Sequence, residues 1–86
     1  KAFLAANGAF VEDGLSTPNM DIASIKSTLI RRADKRFLLC DHSKLGRSAF
    51  ATFAPLDAVD VLITDRKADA QFVEAARALG VEIILA

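Results

Sequence analysis

Several things are scarce in this chain, and each scarcity removes a class of function. Cys40 is the only cysteine among 86 residues, so neither an internal disulfide nor a cysteine-rich metal site can form. It lies in the apolar run Phe37-Leu38-Leu39-Cys40 without a base-bearing motif, which fits an inert thiol better than a nucleophile. His42 is the only histidine, and no cysteine or carboxylate stands near it at metal-ligand spacing, so no metal is expected. Neither sign of charge is in excess: Lys+Arg and Asp+Glu number 11 each. A domain built to grip DNA carries a basic stripe, and none is visible. No apolar run approaches the roughly 20 residues that span a bilayer, and there is no secretory leader. Both observations fit a cytoplasmic protein without a membrane partner. The glycine-rich dinucleotide and P-loop fingerprints and the H-E-x-x-H zinc motif are missing too.

What the chain does have is apolar sequence, 52% of its residues. That is rich for a domain so small, because short chains bury a modest share of their surface. It opens on Lys1-Ala2-Phe3-Leu4 and closes on the strand-like run Val81 to Ala86. Both ends read as cut through a fold, so a fragment of a larger domain is expected.

The apolar pattern alternates between strand-like and helix-like runs. Phe3 to Ala6 reads as a short strand, followed by a loop from Ala9 to Pro18 that contains Gly14, Ser16 and Thr17. Thr17-Pro18 suits a helix start, with threonine as the cap and proline in the first turn. Ile22, Ile25, Leu29 and Ile30 then recur at helical spacing and predict a core-facing stripe, with Ser24, Lys26, Ser27 and Arg31 mostly opposite. The helix should end near Ala33-Asp34. Arg36 to Cys40 reads as a strand covered on both faces. Phe50 and Phe53 should pack inward, and Leu56 to Ala58 suggests one short helical turn. Val59 to Thr64 predicts another strand. Asp69 opens a second helix with Phe72, Val73, Ala76 and Leu79 on its stripe, and Gly80 closes it before a strand over Val81 to Leu85. This alternation predicts an α/β fold with a mostly parallel sheet flanked by helices.

In open α/β sheets ligands bind beyond the carboxyl ends of the strands. That rule selects Asn7-Gly8, Asp41 through Lys44, and Thr64-Asp65, which share one sheet edge if the strands are parallel. A carboxylate such as Asp41 accepts hydrogen bonds from sugar hydroxyls, and the Lys44 ammonium suits a phosphate. The plain alternative is that Asp41 caps a turn and Lys44 is solvated. Asn7-Gly8 is likewise either a tight turn or an amide beside a close backbone approach. Arg47 is a second-choice anion contact.

Phe3-Leu4-Ala5-Ala6-Asn7-Gly8, Gly14-Leu15-Ser16-Thr17-Pro18 and Leu39 through Phe50, with its D-x-S-K-x-G-R-x-A-F pattern, occur in order. Pro55-Leu56 and Leu62-Ile63-Thr64-Asp65 follow. Together they resemble the C-terminal sensor domain of the DeoR family of transcriptional repressors. The resemblance implies a partial Rossmann-like fold similar to ribose-5-phosphate isomerase and glucosamine-6-phosphate deaminase, with residues 1–86 as the later half of the sensor. It implies a phosphorylated sugar as effector and operator DNA held by a helix-turn-helix outside this chain. It further implies a homo-oligomer, and ligand contacts from Asn7, Gly8, Thr17, Asp41 and Lys44. Two departures bear on activity. Ala5 replaces a common glycine, and Asn7 stands where the isomerases carry an acid. Since an amide cannot act as a general base, binding without turnover, and without a cofactor, is expected; the alternative is an isomerase or deaminase fragment.

Overall fold

Runs of three or four consecutive apolar residues form the central strands of the molecule. The computed structural model describes all 86 residues. Its elements are β1 (Ala2–Ala5), β2 (Gly8–Phe10), β3 (Gly14–Thr17), α1 (Met20–Arg32), β4 (Arg36–Leu39), β5 (Ala51–Ala54), β6 (Val61–Thr64), α2 (Ala70–Ala78) and β7 (Glu82–Leu85). Strands β1, β4, β6 and β7 lie side by side in that order, and every pair is parallel. The α/β class and the mostly parallel sheet are therefore as expected. Residues His42–Lys44 and Leu56–Ala58 form single 3-10 turns, the second of them anticipated. No helix is long and apolar enough to cross a membrane.

The segment read as a loop is a β-hairpin. Strand β3 pairs antiparallel with β2 on one side and β5 on the other, making a second sheet of three strands. Gly14, Ser16 and Thr17 looked like loop residues, yet Leu15, Ser16 and Thr17 are at most 1% exposed. Pairing on both edges outweighs the weak strand preference of these small polar residues. Thr17 consequently sits inside a strand and cannot cap α1. The cap is Asn19, whose side-chain oxygen accepts from the backbone N–H of Asp21 at 2.7 Å and of Ile22 at 3.2 Å.

Helix α1 faces the other way from its hydrophobic pattern. Ala23 and Ile30 enter the core, with Lys26 and Ser27 half-buried between them. Ile22, Ile25 and Leu29 are 44%, 61% and 47% exposed. The neighbour on the inner side is the second sheet, and small residues are what let α1 lie close to β5. Phe50 likewise points out at 79% exposure, while Phe53 is buried as expected. Helix α2 behaves as its sequence suggests except at its end: Asp69 caps it, Phe72, Val73 and Ala76 are buried, and Gly80 at φ +92° closes it, but Leu79, expected on the same stripe, is 44% exposed.

One core serves the whole chain. The row Leu4, Leu38, Leu62 and Ile83, in register across the parallel sheet, joins Ile30, Phe72, Ala76, Leu15 and Phe53 in a single cluster. Because the strand order advances in one direction, right-handed crossovers bring both helices to the same face of the sheet. The opposite face is bare, contrary to the expectation that β4 is covered on both sides. Phe3 stacks on Phe37 with centroids 4.7 Å apart, and Phe3, Leu39 and Ile84 remain exposed there.

Candidate functional site

Three parallel strands, β1, β4 and β6, deliver their following residues to one edge of the sheet, and this brings the selected clusters together. Asn7 follows β1, Asp41 to Lys44 follow β4, and Asp65 follows β6. The first two are tied by the chain: Gly46 N–H donates to the Ala9 carbonyl at 2.7 Å, beside a bridge between Ala9 and Leu45. Exposed Asn7 and buried Gly8 thus adjoin the segment that carries Asp41 and Lys44.

Their individual roles differ. The Thr17 hydroxyl is buried and donates to Asn7 Oδ1 at 3.4 Å. From inside a strand it orients the amide, and only Asn7 is exposed to solvent. Gly8 is fixed by packing: a Cβ there would lie 2.5 Å from the Arg47 carbonyl oxygen and 2.7 Å from Ser16 Oγ. The close approach that Gly8 permits is made by the chain's own backbone. Ser16, which the sequence did not single out, holds this corner, donating to the Gly8 carbonyl at 3.4 Å and accepting from Ala49 N–H at 2.7 Å.

Asp41 caps the 3-10 turn. Its Oδ1 accepts from Ser43 N–H at 2.9 Å and from the Ser43 hydroxyl, and that hydroxyl is the main reason its carboxyl is held below the usual range. Lys44 completes the turn, half-buried, close enough for its charge to favour ionisation of both Asp41 and the Cys40 thiol. The thiol is nevertheless pushed up to about 11, first by burial and then by Asp41 and Asp65, so it is inert near neutrality.

Asp65 is a site residue that the sequence indicated only by position. Its Oδ2 accepts from the backbone N–H of His42 at 3.0 Å and meets His42 Nδ1 at 3.0 Å, while Oδ1 accepts from Lys67 N–H at 2.9 Å. These bonds, the His42 backbone donor foremost, lower its pKa to about 2. His42 thus has a carboxylate partner that lies 23 residues away in sequence, invisible to any local spacing rule. Between Asp41 and Asp65 opens a cleft of about 340 Å³ lined by Leu39, Cys40, Ile63, Thr64 and Ala86 as well. The Thr64 hydroxyl on this cleft is buried and has no hydrogen-bond partner. A buried polar atom without a partner is costly. Lys26, expected on the polar face of α1, is half-buried: Nζ donates to the Ala5 carbonyl at the end of β1 and lies 5.5 Å from the Phe53 ring, and burial lowers its pKa.

Chemically, two carboxylates accept hydrogen bonds from a polyol, and the neighbouring ammonium matches an anionic group. The apolar hollow of about 420 Å³ between α1 and β5, lined by Met20, Ala23, Phe50 and Phe53 among others, offers no charged side chain.

The His42–Asp65 link yields a pH prediction. The folded-state pKa of Asp65 lies below its ordinary value of 3.8, so its contribution is complete above pH 4 and disappears as the pH falls toward 2. Urea midpoints measured from pH 6 to 2 should decline in that window, and Asp65→Asn should show a shallower decline. Parallel curves would mean that Asp65 is not held as described.

Comparison with known proteins places residues 1–66 on the model of the DeoR C terminal sensor domain. The chain is similar to the HTH-type transcriptional regulator GlpR of Haloferax volcanii, 43% identical over 82 residues, which cover 95% of this chain and 32% of that protein. It is also similar to two Bacillus subtilis proteins. The HTH-type transcriptional repressor GlcR is 34% identical over 74 residues, covering 86% and 29% of the two chains. The HTH-type transcriptional regulator IolR is 32% identical over 74 residues, covering 86% and 30%. The chain spans about a third of the length of these relatives.

Proposed function

Since this chain belongs to the DeoR C-terminal sensor domain family, we propose that it senses a phosphorylated sugar for a transcriptional repressor and binds it without turnover. The observation that carries the reading is the cleft at the carboxyl edge of the sheet. There Asp41, Asp65 and Thr64 line one volume, with Lys44 on the adjoining turn. The carboxylates take the sugar hydroxyls, Lys44 takes the phosphate, and Asn7, steadied by Thr17, closes the side toward β1. Gly8 serves the site indirectly by letting the Arg47 backbone close over it.

In this reading the 86 residues are the later half of a sensor domain in a cytoplasmic regulator. The DNA-binding module lies outside them and contacts the operator. The bare sheet face supports that division, because parallel sheets are stable when helices cover both faces. The similarity to a transcriptional regulator and a transcriptional repressor supports the output. The effector acts by linkage, binding one quaternary arrangement better and drawing the population away from the DNA-competent one, so the sensor works as a homo-oligomer.

Thermal shift with ribose 5-phosphate, glucose 6-phosphate, fructose 1-phosphate and glycerol 3-phosphate, each against its unphosphorylated counterpart, tests the proposal. At a ligand concentration of 100 Kd the native state gains about 2.7 kcal/mol, a shift of many degrees for a domain this small. A rise with phosphorylated compounds alone, without ketose–aldose interconversion in the same samples, is the expected result. No shift with any of them, or turnover of one, would overturn it.

A further inference from the structure

We propose that the outer face of α1 docks a second copy of this chain about a twofold axis, with the two helices antiparallel. The proposal rests on the reading that the sensor is oligomeric and names the surface that makes it so. At 100° per residue, Asp21, Ile22, Ile25, Leu29 and Arg32 fall within one stripe about 100° wide. All five are exposed, and the stripe lies opposite Ala23, Ser27 and Ile30, which face the rest of the molecule. An apolar stripe turned to solvent on a helix whose inner face is partly polar is the reverse of an ordinary surface helix, and it marks a contact.

The charges identify the occupant. The stripe is acidic at its first turn and basic at its last, with Asp21 and Arg32 about 16 Å apart along the axis and only apolar side chains or threonine between them on that face. A copy turned by a twofold axis between residues 26 and 27 brings Asp21 against Arg32 of the other molecule, twice. The same rotation carries Ile22 to the height of residue 31 of the facing helix. A hollow of about 310 Å³ opens there, lined by Leu29, Ala33 and Ala2 together with the charged Lys1, Arg32 and Asp34. A surface complementary to itself is what an isologous interface requires. It also suits a regulator whose helix-turn-helix modules read paired half-sites. One helix pair covers less than the roughly 1,200 Å² of a stable free-standing interface, so association through α1 alone is weak and depends on concentration.

Sedimentation equilibrium of the chain over a hundredfold range of concentration tests this. The average mass should rise toward twice that of one chain. Ile25→Asp should weaken association at least tenfold, and since Ile25 is 61% exposed its circular dichroism should be unchanged. Asp21→Arg and Arg32→Asp should each weaken it, and the double variant should restore it. Both reversals oppose the helix dipole, so recovery in the double variant cannot come from a firmer helix. Phe3→Asp, on the bare sheet face, should leave association unaltered. A wild-type chain monomeric throughout would sink the oligomer reading together with this surface. Association that survives Ile25→Asp, or that the double reversal fails to restore, would overturn the α1 interface alone.

Discussion

Replacing Gly14 by alanine is expected to lower the stability of the chain by about 2 to 5 kcal/mol, from about 1–2 for the left-handed backbone and 1–3 for the steric insertion. Gly14 begins β3 at φ +92°, a region that L side chains rarely adopt. An added Cβ would lie 2.3 Å from the Ala54 carbonyl oxygen and 3.0 Å from the Pro55 Cα. Both obstacles are backbone and belong to the partner strand, so relief requires separating β3 from β5. That in turn disturbs Leu15, Ser16 and Thr17, which are the link between the small sheet and the rest of the core. Domains of this kind hold only about 5–15 kcal/mol in total, so the loss is a large fraction. Urea unfolding followed by circular dichroism should show the midpoint falling by 1 M or more, given a slope of about 1–2 kcal/mol per molar. Gly46→Ala is the control: φ is +79° there, but nothing lies within 4 Å of the added carbon. It should lose only about 1 kcal/mol, the conformational part alone. Equal losses at the two glycines would show that β3 and β5 are not packed as described.

Lys44→Ala should leave the fold intact and weaken the binding of a phosphorylated sugar by about 100-fold, which corresponds to about 2.7 kcal/mol. The magnitude is that of a charge-assisted hydrogen bond, about 1.5–3 kcal/mol, lost from a partly desolvated site. The lysine makes no ion pair that the fold would miss, and its backbone N–H bond to the Asp41 carbonyl at 3.1 Å survives the change. Asp41 is a poorer probe, because its carboxylate also holds the Ser43 end of the turn. In a regulator carrying this sensor, the variant should still repress and no longer answer to inducer, since a ligand shifts an equilibrium only by its differential affinity for the two states. Isothermal titration with the phosphorylated sugar that gives the largest thermal shift measures the first effect, and operator binding with and without that compound measures the second. Undiminished affinity, or normal release from the operator, would remove Lys44 from the site.

Much of the architecture follows from local pattern. Phe37-Leu38-Leu39 and Val61-Leu62-Ile63 are too short and too evenly apolar to be anything but strands, and Asp69 with Gly80 bracket α2 by chemistry that acts within a few residues. The carboxyl-edge rule then located Asn7, Asp41 and Asp65 correctly on one side, because parallel strands all exit in one direction. The hairpin at Gly8 to Thr17 was hidden for a physical reason. Most of its residues are small or polar, and those of β3 are buried because β5, more than 30 residues later, pairs with it. Likewise, no local rule could bring His42 to Asp65, or show that Thr64 would lack a partner.

Composition and periodicity by themselves determined the parallel strands, the two helices, their alternation and the edge where polar residues gather, since each depends on forces acting over one or two turns of chain. Tertiary structure alone decided which way α1 faces and which side of the sheet stays uncovered. A helix's hydrophobic stripe says that it must meet something apolar, but the identity of the partner depends on what already occupies the neighbouring space. Here β5 occupied the inner side, facing Ala23 and Ser27 of α1, and Ile22, Ile25 and Leu29 were left for a surface outside the chain.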